Sequence, residues 1–317
     1  NTGQIRSDKD PVETTYEVTP LVINDMMFIC TPFSVVIALD LVTGTEIWRF
    51  DPELRQTPVQ TTQHKTCRGV TYFDGAANPP RVALGAASEA STVLPREQTG
   101  RPDQSALVQQ SREEVTSEAA GVPQNVVTGN AVEGAANPVV NREAPGEINT
   151  SSDCVRRLFV PTSDARLISI SADTGEICPG FGGTDGTINL WANMPNVTPG
   201  SAYSTSPPVV TARVVIVGGT VNDNASATSP SGVIRAYDVY TGELIWNFDS
   251  ERPDDTAPIA NGQVYSENAP NSWSVSSYDT ALNLVYIPMG NQSPDQYGAN
   301  RSQEVERLSA SVLALDA

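Results

Sequence analysis

Val36-Ile-Ala-Leu-Asp40-Leu-Val-Thr43-Gly44-Thr-Glu-Ile-Trp48 decides the fold: an apolar strand, an aspartate, Thr-Gly, and a second strand ending in a large ring. Alternating apolar residues supply two half-buried strands, and Asp with Thr-Gly supplies the turn between them. The core returns as Ile234-Arg-Ala-Tyr-Asp238-Val-Tyr-Thr241-Gly242-Glu-Leu-Ile-Trp246. A weaker copy, Leu167-Ile-Ser-Ile-Ser-Ala-Asp173-Thr174-Gly175-Glu-Ile-Cys178, has Cys where Trp stood. A large ring at the end of the second strand can pack onto the next repeat. Hairpins recurring at such intervals, with further strands between them, are the signature of β-propeller blades of about four strands each. A run of hairpins in a sandwich is the alternative.

Further strands are expected at 19–31, 68–73, 157–162, 207–218 and 283–288, and no convincing amphipathic helix is found. The class is therefore all-β, with residues 1–317 forming one incomplete propeller domain. Residues 86–153 are rich in Gln, Glu, Ser, Gly, Asn and Pro, without apolar periodicity, and are expected to be a flexible polar insertion. Ser311-Val-Leu-Ala-Leu-Asp316-Ala317 repeats the first half of the hairpin and stops before its turn. An unclosed ring exposes a strand edge, so the remaining blades are expected on another segment or a partner chain.

Composition narrows the function. With 19 basic against 37 acidic residues, the net charge of −18 argues against nucleic acid and against anionic lipid. No run reaches the length of about eighteen apolar residues that a membrane helix needs. The chain begins at Asn1 without Met or a signal-peptide pattern, so an upstream segment is expected to have been removed. Cys30, Cys67, Cys154 and Cys178 show no C-x-x-C spacing, so zinc is not expected. Cys30, in an apolar strand, is expected to be a buried small hydrophobe and not a disulfide partner. His64 is the one histidine, which leaves no His-based metal cluster and no conventional Ser-His-Asp triad beyond that one imidazole.

Polar clusters sit beside strand ends, where propeller loops form a face: Tyr16-Glu17, His64-Lys-Thr-Cys67-Arg68-Gly69, Ser204-Thr205-Ser206, Asn222-Asp223-Asn224, Asn271-Ser-Trp273 and Gly290-Asn291. Carboxylate and amide oxygens suit a hard cation such as calcium. A Trp beside an Arg and a Thr suits a flat anionic ring, by stacking and charge-assisted hydrogen bonds.

At these residues the chain resembles the quinoprotein dehydrogenases, in particular the glucose, quinate/shikimate and polyol group related to membrane-bound glucose dehydrogenase. The resemblance is carried by Thr14-Thr-Tyr-Glu17-Val-Thr-Pro-Leu, His64-Lys-Thr-Cys-Arg-Gly-Val-Thr-Tyr72, Tyr203-Ser-Thr-Ser-Pro-Pro208, Ser231-Gly-Val-Ile-Arg-Ala-Tyr-Asp238 and Asn268-Ala-Pro-Asn-Ser-Trp-Ser-Val-Ser-Ser-Tyr-Asp279. It implies an eight-bladed propeller with pyrroloquinoline quinone (PQQ) on its axis and a calcium ion on the quinone oxygens. Trp273 would stack on one face of the quinone. The alcohol dehydrogenases of this superfamily cover the other face with a vicinal disulfide; here His64 takes that place. Glu17, Arg68 and Thr205 match positions that hydrogen-bond the quinone, although a glutamate facing an anion needs a proton or a bridging group. Asp223 and Asn291 match the calcium ligands, with Asn224 beside them.

The resemblance further implies a periplasmic enzyme, membrane-associated through a segment absent here. It would oxidise a sugar, polyol or alicyclic hydroxy acid and pass electrons to ubiquinone or another acceptor of the respiratory chain. Met289-Gly290-Asn291-Gln-Ser-Pro-Asp-Gln favours the quinate/shikimate and polyol branches over glucose. The family's proton-abstracting aspartate lies in a His-Asp-x-Trp-Asp type motif, which these residues lack, so it is expected beyond Ala317 and the chain alone is expected to be inert. The rival of another class is a non-enzymatic propeller scaffold, which has no need of His64-x-x-Cys-Arg-Gly or of the Trp273 to Asn291 spacing.

Overall fold

The computed structural model describes residues 14–54, 65–79, 154–222, 224 and 226–317. The expected insertion at 86–153 lies outside the described residues. The rest is antiparallel sheet arranged blade after blade. The first blade takes β1 (Leu21–Ile23), β2 (Met26–Cys30), β3 (Val36–Asp40) and β4 (Glu46–Phe50) in that order. The second takes β5 (Thr71–Asp74), β6 (Arg156–Pro161), β7 (Arg166–Ser171) and β8 (Thr187–Asn189).

In the third blade, β10 (Val209–Val210), β11 (Val214–Val217), β13 (Ile234–Asp238) and β14 (Leu244–Phe248) pair in turn, while β9 (Ala202–Tyr203) and β12 (Thr220–Val221) form a separate ribbon. The fourth sheet joins β15 (Ser277–Asp279), β16 (Leu284–Pro288) and β17 (Val312–Asp316), with the short helix α1 (Gln303–Leu308) before its last strand. The all-β propeller assignment holds; α1 is the one helix among the described residues that the sequence pattern did not announce.

The repeated hairpin forms as its residues require. Asp40 Oδ1 accepts from the Val42 and Thr43 amides and the Thr43 hydroxyl, at 3.1, 2.7 and 2.7 Å. Gly44 follows at φ +70, where a side chain would be strained. Asp238 repeats the arrangement with Tyr240 and Thr241, ahead of Gly242 at φ +71. The two hairpins even share a register shift at the same place, Ala38/Leu39 and Ala236/Tyr237.

The third copy departs from this plan. Ser171 Oγ, not an aspartate, accepts from the turn amides of Asp173 and Thr174, and the Asp173 carboxylate turns aside to pair with Arg156. After the turn only an isolated bridge forms, Ile170 to Ile177, and the blade's last strand is β8, some residues later. The span 19–31 is likewise not one strand but the β1–β2 hairpin, reversed at Asn24 with φ 54.

Apolar side chains lie between consecutive sheets. Phe28, Cys30, Val36 and Ala38 of the first blade meet Leu158, Val160, Ile168 and Ile170 of the second. Phe159, Leu167 and Phe181 meet Val215, Val217 and Tyr237 of the third. Val214, Ile216 and Ile234 meet Val285, Ile287 and Leu313 of the fourth. The ring at the end of the hairpin does pack on the next repeat: a Cβ on Gly175 would stand 2.6 Å from Trp48 Cε3. Where Cys178 replaces that ring, the Phe181-Gly182 backbone takes its place, with the Gly182 amide on Thr241 O and a Gly242 Cβ only 2.6 Å from Gly182 N.

Cys30 is a disulfide partner after all, bonded to Cys67, and Cys154 bonds to Cys178. Its alternation in β2 made it look like a plain hydrophobe; its partner stands 37 residues away, and only the stacking of two blades brings them together. Replacing both Cys30 and Cys67 with serine is expected to lower stability by about 3 kcal/mol, because the unfolded chain regains loop freedom. Thermal melts of the double variant and the wild type would check this; unchanged midpoints would contradict it.

Burial pushes the hydroxyl pKa of Tyr203 up to about 12 and raises those of Tyr237, Tyr240 and Tyr265. A raised folded pKa means that the stability is fully present below the ordinary value of 10 and lost as pH rises through the folded values. Unfolding monitored by circular dichroism should therefore set in as the solution is taken above about pH 10. A melting temperature that stays flat through that range would exclude the effect.

Candidate functional site

Arg68 gathers the expected cofactor residues. Its Nη2 stands 2.9 Å from Glu17 Oε2, its Nη1 donates to Thr205 Oγ1, and its guanidinium carbon lies 5.5 Å from the Trp273 ring centroid. The backbone is held equally firmly: the Arg68 amide donates to Thr205 O and the Thr19 amide to Arg68 O, each at 2.9 Å. Glu17 Oε1 accepts in turn from Thr15 Oγ1 at 3.0 Å. Four segments far apart in the chain thus meet at one guanidinium.

The site is open on one side. Trp273 is 46% exposed, although Asn271 and Ser272 just before it are buried. A half-exposed indole with a guanidinium over its ring presents a flat apolar surface with positive charge at its margin. Thr205 Oγ1 accepts from Arg68, which leaves its own hydrogen free to donate. The Glu17 carboxylate itself faces the Arg68 guanidinium. Tyr203 lines the protein side: it is buried, its hydroxyl has no hydrogen-bond partner, and the charge of Arg68 partly counters the upward push of burial on its pKa.

Of the two expected calcium ligands, Asn291 is described and lies on a second loop system. Asp223 lies outside the described residues, as does His64. Their neighbours show the loop contact: Asn224 Oδ1 accepts from the Gln296 amide at 3.4 Å, and Ser293 Oγ donates to Asn222 O at 3.4 Å and Ser226 O at 3.1 Å. Asn291 Nδ2 reaches Asp295 O at 3.5 Å. Asn271 Oδ1 and Asp295 Oδ1 are each buried acceptors without a hydrogen-bond partner, and amide and carboxylate oxygens are the atom types an oxygen-seeking cation takes. Among the described residues no three His, Cys, Asp or Glu side chains cluster as a metal site.

The two loop systems are joined through the backbone: the Gly290 amide donates to Asn271 O at 2.8 Å, two residues before Trp273. Sequence reasoning missed Ser206, whose hydroxyl donates to Trp273 O at 2.6 Å, and the Cys30–Cys67 bond beside Arg68. Ser206 stood in a cluster already singled out; its partner, a backbone carbonyl, has no sequence signal.

Comparison with known proteins gives the family and the fold. The family model "PQQ: Glucose/ethanol/alcohol dehydrogenase, beta-propeller domain" matches residues 1–148 and 124–317. The quinoprotein glucose dehydrogenase of Escherichia coli is 35% identical over 100% of this chain, which spans 31% of that protein. The quinate/shikimate dehydrogenase (quinone) of Acinetobacter baylyi is 32% identical over 95% of the chain, which spans 30% of it. The chain thus spans about a third of the length of the curated relatives it matches. Among solved structures, the quinohemoprotein alcohol dehydrogenase from Comamonas testosteroni superposes with a TM-score of 0.52 at 19% identity, over 96% of this chain and 34% of that one, which shows a shared fold.

Proposed function

Since the chain belongs to the PQQ-dependent glucose/ethanol/alcohol dehydrogenase β-propeller family, we propose that it is the cofactor-holding part of a quinoprotein dehydrogenase. The observation that carries this is the Arg68 network with Glu17, Thr205 and the half-exposed Trp273. The reaction is the oxidation of a CH–OH group to a carbonyl. Relatives named for glucose and for quinate/shikimate match nearly equally, so the substrate class is a polyhydroxylated sugar, polyol or alicyclic acid.

Each residue has a role that its surroundings permit. Trp273 offers one flat face and keeps water from it. Arg68, oriented by Glu17, holds an anionic edge by charge-assisted hydrogen bonds. Thr205 donates its remaining hydrogen to an oxygen of the same ring. His64 would cover the opposite face, and Asp223 and Asn291, with Asn224 nearby, would hold a calcium ion. When bound, the quinone supplies the hydride-accepting carbon and calcium the Lewis acidity. No His-Asp-x-Trp-Asp stretch occurs among these residues, so the proton-accepting carboxylate is not one of them and the chain alone should bind without turnover. Electrons would pass to ubiquinone or another acceptor. The two disulfides suit an oxidising compartment and support a periplasmic location.

Titration of the purified chain with PQQ in the presence of calcium, followed by tryptophan fluorescence and visible absorbance, tests this. Saturable quenching with a bound-quinone spectrum is expected. No spectral change over the whole concentration range would refute the assignment.

A further inference from the structure

We propose that Gly232 and Gly218 are positioning residues of the quinone site, which set Trp273 by leaving room for the backbone that carries it. The proposal rests on the cofactor reading above. Trp273 directly follows a buried segment, residues 268–272, that no strand or helix stiffens. Hydrogen bonds hold it from several sides. The Asn268 amide donates to Ser229 O at 2.9 Å, and Ala269 O and Asn271 O accept from the Gly232 and Gly290 amides at 3.1 and 2.8 Å. Ser272 Oγ donates to Pro288 O at 2.8 Å, and Trp273 O accepts from Ser206 Oγ at 2.6 Å.

The segment crosses the ends of β11 and β13 at a distance that permits no side chain. A Cβ on Gly232 would stand 2.2 Å from Pro270 O and 2.5 Å from Asn271 Cα. On Gly218 it would stand 2.6 Å from Ser272 O and 3.2 Å from Ser272 Cβ. Most of these obstacles are backbone, which cannot swing aside as a flexible side chain does. Neither glycine has the positive φ that would itself require glycine, so the constraint is space. Both collisions push on the residues immediately before Trp273. Even one added methyl group must shift the segment, and the indole moves with it relative to Arg68.

Gly232→Ala and Gly218→Ala, each with and without Trp273→Phe, test this against Gly75→Ala. Gly75 follows β5 at the end away from Arg68, and its Cβ would meet Val155 O at 2.6 Å and Tyr240 Oη at 2.8 Å, a comparable collision elsewhere. The readout is acrylamide quenching of the Trp273 component, taken as the difference from the Trp273→Phe partner, in protein without quinone. Gly232→Ala or Gly218→Ala should change that component, while Gly75→Ala keeps the wild-type value even if its melting temperature falls. PQQ affinity should fall about tenfold or more in the two site variants, as displacements of about 1 Å at a positioned group do, and remain unaltered in Gly75→Ala. Unchanged Trp273 quenching in whichever site variants fold, or the same change in Gly75→Ala, overturns the proposal. Failure of the wild type to take up quinone would count against the cofactor reading alone, because the quenching comparison decides the seat without it.

Discussion

Arg68→Met should bind PQQ about a hundredfold more weakly than the wild type. A hydrogen bond to a charged group contributes about 1.5–3 kcal/mol, and two such bonds from one guanidinium to an anionic ring, less what a methionine stem retains by packing, leave about 3 kcal/mol or two decades of affinity. The change should not unfold the protein, because the Arg68 backbone remains held by Thr205 O and Thr19 N and the lost ion pair with Glu17 is part-exposed and of small worth. Arg68→Lys should fall between the two, since it keeps the charge and loses the planar fork. Fluorescence titrations at low and high salt would measure this. The wild-type affinity should weaken as salt rises and that of Arg68→Met should respond less. Equal affinities for the arginine and methionine forms would remove Arg68 from the site.

The second large effect is on stability. Arg157 is 1% exposed, and its partners are all carbonyls: Cys154 O at 2.8 Å, and Val239 O and Tyr240 O at 3.3 Å, with the Tyr240 ring 4.9 Å from the guanidinium carbon. Burial lowers its pKa, so the charged form is held at a cost that these acceptors and the ring offset. It ties the second blade to the turn of the third. Arg157→Met leaves three buried acceptors without their donor, each worth about 1–3 kcal/mol, against which stands the relief of a desolvated charge. A net loss of about 3 kcal/mol is expected, or roughly 5 °C in a protein of this size. Calorimetry of the variant would show it, with PQQ affinity per folded molecule unchanged. A melting temperature within a degree or two of the wild type would mean that the arginine contributes nothing net.

Most of the blade plan is legible in local sequence. Asp40 and Asp238 form the turns their spacing promises because an aspartate oxygen two residues before the turn amides needs nothing from elsewhere in the chain. The weak copy misled for the same reason. Asp173 looked like the turn acceptor, but Ser171 occupies the geometrically equivalent place, and Arg156, a strand away, draws the carboxylate off. Glu17, Arg68, Thr205 and Trp273 were legible as a set through resemblance to a family, and they do converge. The Cys30–Cys67 bond was not, because strand alternation makes any buried cysteine resemble a small hydrophobe until its partner is seen.

By itself the sequence determined most of the strands, the turns at Asp40 and Asp238 and the chemical types available at the site, because period-2 burial and Asp-Thr-Gly turns are local properties of the chain. Only the tertiary structure decided that Arg68 bridges Glu17 and Thr205 beneath Trp273, that the Trp48 ring rests on Gly175, and that Gly218 and Gly232 leave passage for residues 270–272. These contacts join residues remote in sequence through the stacking of one blade on the next. Their distances follow from how closely backbones can approach, which no spacing of residues along the chain encodes.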